Sequence, residues 1–127
     1  VRGATVIPGS GVAPFVADIG IGASRGVRTR GGRRELVWTM RIEDLGDLRV
    51  YGALEEVNGE GLTAAPLWDR SLRPGQVVSP PERVADGPRI APGQPGAVVL
   101  LRPAPEPGRY VVERIISGPE PVDDTAR

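Results

Sequence analysis

The stretch ELVWTMRIE, residues 35–43, is the clearest strand in the sequence. Smaller or polar residues lie between large apolar side chains, which occupy every second position: Leu36, Trp38, Met40 and Ile42. A period of two places alternate side chains on opposite faces of an extended chain, which is typical of a strand with one buried face. We interpret Trp38, in the middle of the alternation, as a core residue.

Similar apolar runs recur on both sides of this stretch. We predict further strands at residues 14–23, 48–57, 97–102 and 109–117, and assign residues 1–12 to an arm or a first edge strand. Glycine, proline and asparagine mark the turns between them: Gly46, Asn58-Gly59, Pro74-Gly75, Pro92-Gly93 and Pro107-Gly108. Residues 62–87 are less regular, and no segment has the apolar spacing of an amphipathic helix.

The grouping of apolar residues argues for a folded domain although 18 glycines and 14 prolines bring the composition close to that of disordered chains. About seven short strands with frequent turn signals predict an all-β fold, an antiparallel β-sandwich. We predict a single domain over residues 1–117 and a flexible tail or linker over residues 118–127, which is proline-rich and charged.

Two segments carry a resemblance to a known family. LRPGQVV at residues 72–78 and IAPGQPGAVVLLRPAPEPGRYVVERI at residues 90–115 resemble the closing strands of bacterial immunoglobulin-like and fibronectin type III-like domains. Members share a Pro-Gly-Gln turn, an alternating strand, a Pro-Gly turn and a Tyr-x-Val strand, and ELVWTMRIEDLGD is similar to their early core strand. The likeness as a whole extends over about two thirds of the chain, and these segments are its clearest part. The resemblance implies an immunoglobulin-like sandwich of the cysteine-free bacterial type.

Several chemistries are excluded by composition. The chain has no cysteine and no histidine, so it lacks a thiolate nucleophile and the commonest general base and metal ligand. All sixteen basic residues are arginine, which reflects a GC-rich genome and excludes a Schiff-base lysine. Sixteen acidic residues balance them, so no overall charge attracts nucleic acid or a membrane surface. We predict no enzymatic activity, no cofactor and no metal site.

The stretch FVADIGIGASRG, residues 15–26, resembles the first motif of S-adenosylmethionine-dependent methyltransferases, with Gly20 and Gly22 in the loop positions. In that motif a helix begins directly after the glycines. The residues that follow contain three more glycines and no helical spacing. We therefore interpret the stretch as a strand, and a methyltransferase fragment stays open as the weaker alternative.

The densest charge feature is SRGVRTRGGRR, residues 24–34, which we predict to be a loop that holds Arg25, Arg28, Arg30, Arg33 and Arg34. A functional interpretation makes these arginines a site for the carboxylates of a protein partner or an acidic glycan. The alternative is a solvated loop whose charges offset nearby acids. The segment has no aromatic residue for base stacking, which disfavours nucleic acid. Trp68 is the second candidate, as a binding anchor or as the end of the core.

These patterns predict a non-catalytic binding, spacer or assembly module of an exported or surface-attached bacterial protein, in an extracytoplasmic or cell-surface location. No apolar run reaches the ~20 residues of a membrane span. A structural subunit of a virion or surface assembly stays open, with self-association through edge strands and the arm of residues 1–12. A calcium-dependent adhesion module, with Glu43, Asp44 and Asp47 as ligands, is a further alternative.

Overall fold

A computed structural model describes the backbone of residues 1–42, 58–85, 87, 89–116 and 122–123, and the side chains of these residues except 23–28, 30, 35–40 and 122–123. The described part of the chain forms strands and no helix: β1 (Ala4–Val6), β2 (Phe15–Ala17), β3 (Ile21–Arg30), β4 (Arg33–Ile42), β5 (Thr63–Pro66), β6 (Val77–Val78), β7 (Val98–Pro103), β8 (Tyr110–Ile116) and β9 (Val122–Asp123). The predicted all-β class is confirmed. It follows that these residues offer no helix of the length and apolar character that a membrane crossing requires.

The strands form two sheets. A six-stranded sheet has the order β2-β1-β5-β7-β8-β6, and a three-stranded sheet has the order β3-β4-β9. All neighbouring pairs are antiparallel except β1 and β5, which run parallel with Thr5 opposite Thr63 and Val6 opposite Ala64. The larger sheet is therefore mixed, which corrects the prediction of a purely antiparallel arrangement. Local turn signals describe hairpins and do not reveal a parallel pairing between distant segments.

The central strands of the six-stranded sheet are buried on both faces. One face contributes Val6, Ala64, Val98 and Leu100 to a first core cluster, which Ile42 of β4 helps to close. The opposite face contributes a second cluster: Ala65, Leu72, Val99, Leu101 and Val112. Strands that are buried on both sides are continuously apolar instead of alternating. This explains the unbroken apolar run at the start of β7, all of it at 0% exposure.

β5 lies in the segment that the sequence analysis describes as irregular. Its sequence TAAP has neither large apolar residues nor alternation, yet all four residues are buried. Small side chains fit here because β5 lies between β1 and β7, with core clusters on both sides. The strand is specified by tertiary packing and has little local β-propensity of its own.

Several local predictions are confirmed. The alternating stretch around Trp38 lies in β4, and the predicted strands 97–102 and 109–117 correspond to β7 and β8. The Pro-Gly turns have positive φ at their glycines, 91° at Gly75, 83° at Gly93 and 75° at Gly108. The turn near Asn58 lies slightly later, where Leu62 N donates to Gly59 O at 2.7 Å.

The N-terminal segment is part of the sheet. β1 pairs with β2 on one side and with β5 on the other, so residues 1–12 form neither a free arm nor an edge strand. The predicted strand 14–23 is broken after Ala17, because Asp18 turns to accept a hydrogen bond from Gly3 N at 2.7 Å. Beyond the break, Ile19 N donates to Val1 O at 2.8 Å.

Other predictions fall on residues that the structure does not describe. The turn at Gly46, the strand at residues 48–57 and the three calcium-ligand candidates all lie outside the described residues. Of the predicted tail, residues 118–127, only Val122–Asp123 is described, and this short strand pairs with Val37 and Trp38 of β4. The division between domain and tail stays a prediction.

Candidate functional site

The arginine-rich segment is a two-stranded ribbon, and its prediction as a loop is wrong. β3 and β4 pair in continuous register from Ile21 opposite Ile42 to Arg30 opposite Arg33. Gly31 and Gly32 close the hairpin with φ of 58° and 77°. Two consecutive positive φ values are what a type I′ turn needs, and glycine adopts them without steric cost. The glycines that suggest a loop in the sequence therefore form a two-residue turn.

The register divides the ribbon into two faces, because residues directly opposite each other share a face. One face, which we call the basic face, carries Arg28 and Arg30 of β3 with Arg33 and Arg41 of β4, and Glu35 is its acidic member. The other face carries the apolar residues of the alternation, together with Arg25 and Arg34. The five predicted site arginines are thus separated, with three on the basic face and two on the opposite one.

The described side chains near the tip of the ribbon are exposed, and at its base the arginine on the basic face is exposed while the two isoleucines on the other face are buried. Arg33, Arg34 and Arg41 are exposed, whereas Ile21 and Ile42 belong to the first core cluster. The sequence analysis missed Arg41 as a site residue because it lies beyond the dense arginine segment. The signal was present in the period of two, which places position 41 on the same face as position 33.

The base of the ribbon is attached to the turn before β7. Ile42 N donates to Gln94 O and Gly93 N donates to Ile42 O, both at 2.8 Å. Arg41 and Pro95 form an antiparallel bridge. Residues paired in this way share a face, so Pro95 continues the basic face beyond Arg41.

A cleft of about 430 Å³, which we call the Trp68 cleft, opens beside Pro95. Its lining combines apolar and polar residues: Leu67, Trp68, Arg70, Gln94, Pro95 and Ala97. Trp68 is half-buried and packs against the second core cluster, as a residue at the end of the core does, and its role as a binding anchor stays a prediction. Gln94 and Arg70 lie in the cleft as polar residues, and neither was singled out from the sequence.

A tight turn after Trp68 supports one side of the cleft. Asp69 Oδ1 accepts hydrogen bonds from the hydroxyl of Ser71 at 2.7 Å and from its backbone N–H at 2.8 Å. The bond from the Ser71 hydroxyl, and to a smaller extent the bond from its backbone N–H, hold the pKa of the Asp69 carboxyl below its ordinary value. The turn is followed by Leu72, which is buried in the second core cluster.

We expect Ser71→Ala to raise the pKa of Asp69 toward its ordinary value, because it removes the stronger of the two hydrogen bonds. A depressed carboxyl pKa stabilises the fold above the unfolded pKa, and that contribution is lost as the pH falls through the folded pKa. The variant should therefore lose less stability than the parent on acidification. NMR titration of the Asp69 carboxyl carbon measures the shift.

Ser79→Ala, at an exposed position, is the control, and an unchanged Asp69 titration in Ser71→Ala would contradict the assignment.

A second, smaller cleft of about 170 Å³ lies beside the edge strand β2, among described residues that are nearly all apolar. Phe15 and Ile90 line it, and Asp18 is its one charged residue. Phe15 and Val16 of β2 are 45% and 73% exposed. β2 ends the six-stranded sheet on this side among the described strands, and because consecutive side chains of a strand lie on opposite faces, its outer edge has an exposed apolar side chain on each side.

The glycine-rich stretch has no nucleotide-loop geometry. Gly22 lies in β3 opposite Arg41, and strand continues through Arg30 where a nucleotide-binding motif would begin a helix. Within the described ranges, no three acidic residues converge to hold a metal ion. The interpretation of this stretch as a strand is confirmed from Ile21 onward.

Comparison with known proteins identifies no relative of this chain. No protein-family model matches the chain, and searches of curated proteins and of solved structures find no match. The interpretation of the site therefore depends on the geometry of the ribbon and the Trp68 cleft.

Proposed function

We propose that the chain is a non-catalytic binding module of an exported or surface-attached bacterial protein, with an immunoglobulin-like fold, that binds an acidic partner through the basic face. The observation that carries this proposal is the register of the ribbon. It places Arg28, Arg30, Arg33 and Arg41 on one face, with Arg30 and Arg33 directly opposite each other beside the turn.

Arginine suits this role because its planar guanidinium binds carboxylate or sulfate groups through two parallel hydrogen bonds. Cross-strand neighbours lie about 5 Å apart, and next-but-one residues on a strand lie about 7 Å apart. Arg30 and Arg33 are like charges at the cross-strand distance and repel each other, which is a cost that an anionic ligand relieves, whereas Arg28 has the acidic Glu35 opposite it. Since the whole chain has no net charge, the attraction is local to this face.

The non-catalytic part of the proposal is supported by chemistry. The chain contains no histidine, lysine or cysteine to act as a base or nucleophile at neutral pH. The resemblance of the closing strands to bacterial immunoglobulin-like domains is the support for the proposed extracytoplasmic location.

The exposed apolar edge at Phe15 and Val16 favours a second candidate function, a structural subunit that associates through β2. Sedimentation velocity distinguishes the binding module from the structural subunit, because only the structural subunit is expected to associate with itself as its concentration rises.

We expect Arg30→Glu with Arg33→Glu to weaken binding of an acidic partner about tenfold or more, since two attractive charges become repulsive at the ribbon tip. The probes are a glutamate hexapeptide and a hexasaccharide of guluronate, each titrated by calorimetry at low salt. Raised salt should reduce the difference between parent and variant because exposed charges are screened.

The matched control is Arg83→Glu with Arg109→Glu, which makes the same change in net charge at exposed positions outside the ribbon and the Trp68 cleft. We expect this control to retain most of the parent affinity for both probes. An equal loss of binding in the two double variants would show that net charge alone is responsible and would refute the basic face as the site.

A further inference from the structure

The Trp68 cleft has the chemistry of a sugar site. Its walls combine the flat indole of Trp68 and the ring of Pro95 with the polar side chains of Gln94 and Arg70. A pyranose ring presents C–H groups on its faces and hydroxyls around its edge. An apolar wall with a few convergent polar groups is the general form of a small-molecule site, and here it fits the face and edge of a sugar.

Two polar groups in the cleft have no protein partner among the described residues. Neither the indole N–H of Trp68 nor the side-chain amide of Gln94 donates or accepts a hydrogen bond there. A purely apolar ligand would remove water from these groups without replacing its hydrogen bonds, at a cost in affinity. Sugar hydroxyls both donate and accept, so they can satisfy the indole donor and both ends of the amide.

The size of the cleft agrees with a single ring. Its volume of about 430 Å³ lies within the roughly 300–1,000 Å³ of ligand sites. At ~30 Å³ per water it corresponds to about fourteen waters, enough for the dozen or so non-hydrogen atoms of a hexose and part of its glycosidic linkage.

The cleft and the basic face share one residue, Pro95. Pro95 lines the cleft and is the bridge partner of Arg41, so a chain that leaves the cleft over Pro95 reaches Arg41 and then the β4 strand toward Arg33. These two arginines are eight residues apart, about 27 Å of strand at 3.4 Å per residue. Arg70 brings a cationic side chain into the cleft itself.

We infer that the acidic partner is a uronic-acid-containing oligosaccharide, with one ring in the Trp68 cleft and later carboxylates along the basic face. This inference rests on the proposed function, since it uses the same arginines, and adds to it the class of ligand and a second set of contacts. An acidic peptide can satisfy the arginines, but it has no ring to stack on Trp68. Changes in the cleft should therefore weaken binding of the oligosaccharide but not of the peptide.

The test uses two conservative changes in the cleft, Trp68→Phe and Gln94→Ala. Phenylalanine retains an aromatic ring for packing on the second core cluster but loses the N–H and part of the stacking area. Gln94→Ala removes only a side chain, because the backbone of this residue makes the bonds to Ile42 and Ala91. Unfolding curves establish that each variant is folded before binding is measured.

Three probes are titrated by calorimetry into the parent chain and both variants: a guluronate hexasaccharide, maltohexaose as the neutral oligosaccharide, and a glutamate hexapeptide. We expect the parent to bind the uronate at least about tenfold more tightly than either of the other probes. Each cleft variant should lose about fivefold or more in uronate affinity and keep its affinity for the peptide. Uronate should also change the tryptophan emission of the parent, and this change should be absent from Trp68→Phe.

The outcomes separate the inference from the proposed function. If both cleft variants bind the uronate as the parent does, while Arg30→Glu with Arg33→Glu does not, the inference is overturned and the proposed function stands. If maltohexaose or the peptide binds as tightly as the uronate, the ligand class is overturned. If neither acidic probe binds the parent, the proposed function and the inference both fail.

Discussion

Leu100→Ala should lower the free energy of unfolding by about 3–4 kcal/mol, a large part of the roughly 5–15 kcal/mol that holds a domain of this size together. Leu100 is fully buried, in the middle of the six-stranded sheet, where it belongs to the first core cluster with Val98 and Ile42. Truncation removes apolar contacts and leaves a cavity. The neighbouring strands are hydrogen-bonded on both sides and cannot close over it.

Urea unfolding followed by circular dichroism measures this loss. The midpoint should fall while the dependence on urea stays the same, because the surface exposed on unfolding hardly changes. Val77→Ala is the control, since Val77 is 50% exposed on the edge strand β6 and its truncation should cost less than about 1 kcal/mol. A loss below about 1.5 kcal/mol for Leu100→Ala would show that this face of the sheet is not packed as described.

The elements that could be predicted from the sequence are those with a local signal. β4 has a period of two around Trp38, and β7 and β8 are bounded by Pro-Gly turns whose glycines have positive φ. β5 has no such signal, because its small residues are selected by neighbours on both sides. The parallel pairing of β1 with β5 joins segments almost sixty residues apart, and such pairing leaves no pattern in either segment.

The sequence predicted which arginines and which tryptophan belong to the candidate site, but not how the fold arranges them. The arginines and Trp68 were identified from the sequence. The loop prediction failed because residues 24–34 combine five arginines with three glycines and have no apolar alternation of their own, so that pairing with β4 makes them a strand. Gln94 and the cleft reach the basic face through the bridge between Arg41 and Pro95. That contact depends on how the base of the ribbon docks on the turn before β7, which is a tertiary property.

Gly31→Val together with Gly32→Val should cost about 2–4 kcal/mol of stability and weaken binding of an acidic ligand about tenfold or more. The two glycines have φ of 58° and 77°, a region that costs a residue with a Cβ about 1–2 kcal/mol and a β-branched residue more. Nothing within 4 Å would obstruct a Cβ at either position, so the effect isolates backbone strain. Relief of that strain requires the tip to open, which separates Arg30 from Arg33.

Gly31→Asn is the matched control, because asparagine tolerates the left-handed region and Asn-Gly is a favoured type I′ turn. We expect this variant to match the parent in urea unfolding and in titration with the guluronate hexasaccharide. Cross-strand amide contacts near residues 30 and 33, followed by NMR, should persist in the control and disappear in the valine double variant. If the valine variant keeps both these contacts and the parent stability, the type I′ geometry is incorrect. If the contacts disappear while uronate affinity stays equal to that of the parent, the tip of the ribbon, with Arg30 and Arg33, is not part of the surface that binds the ligand.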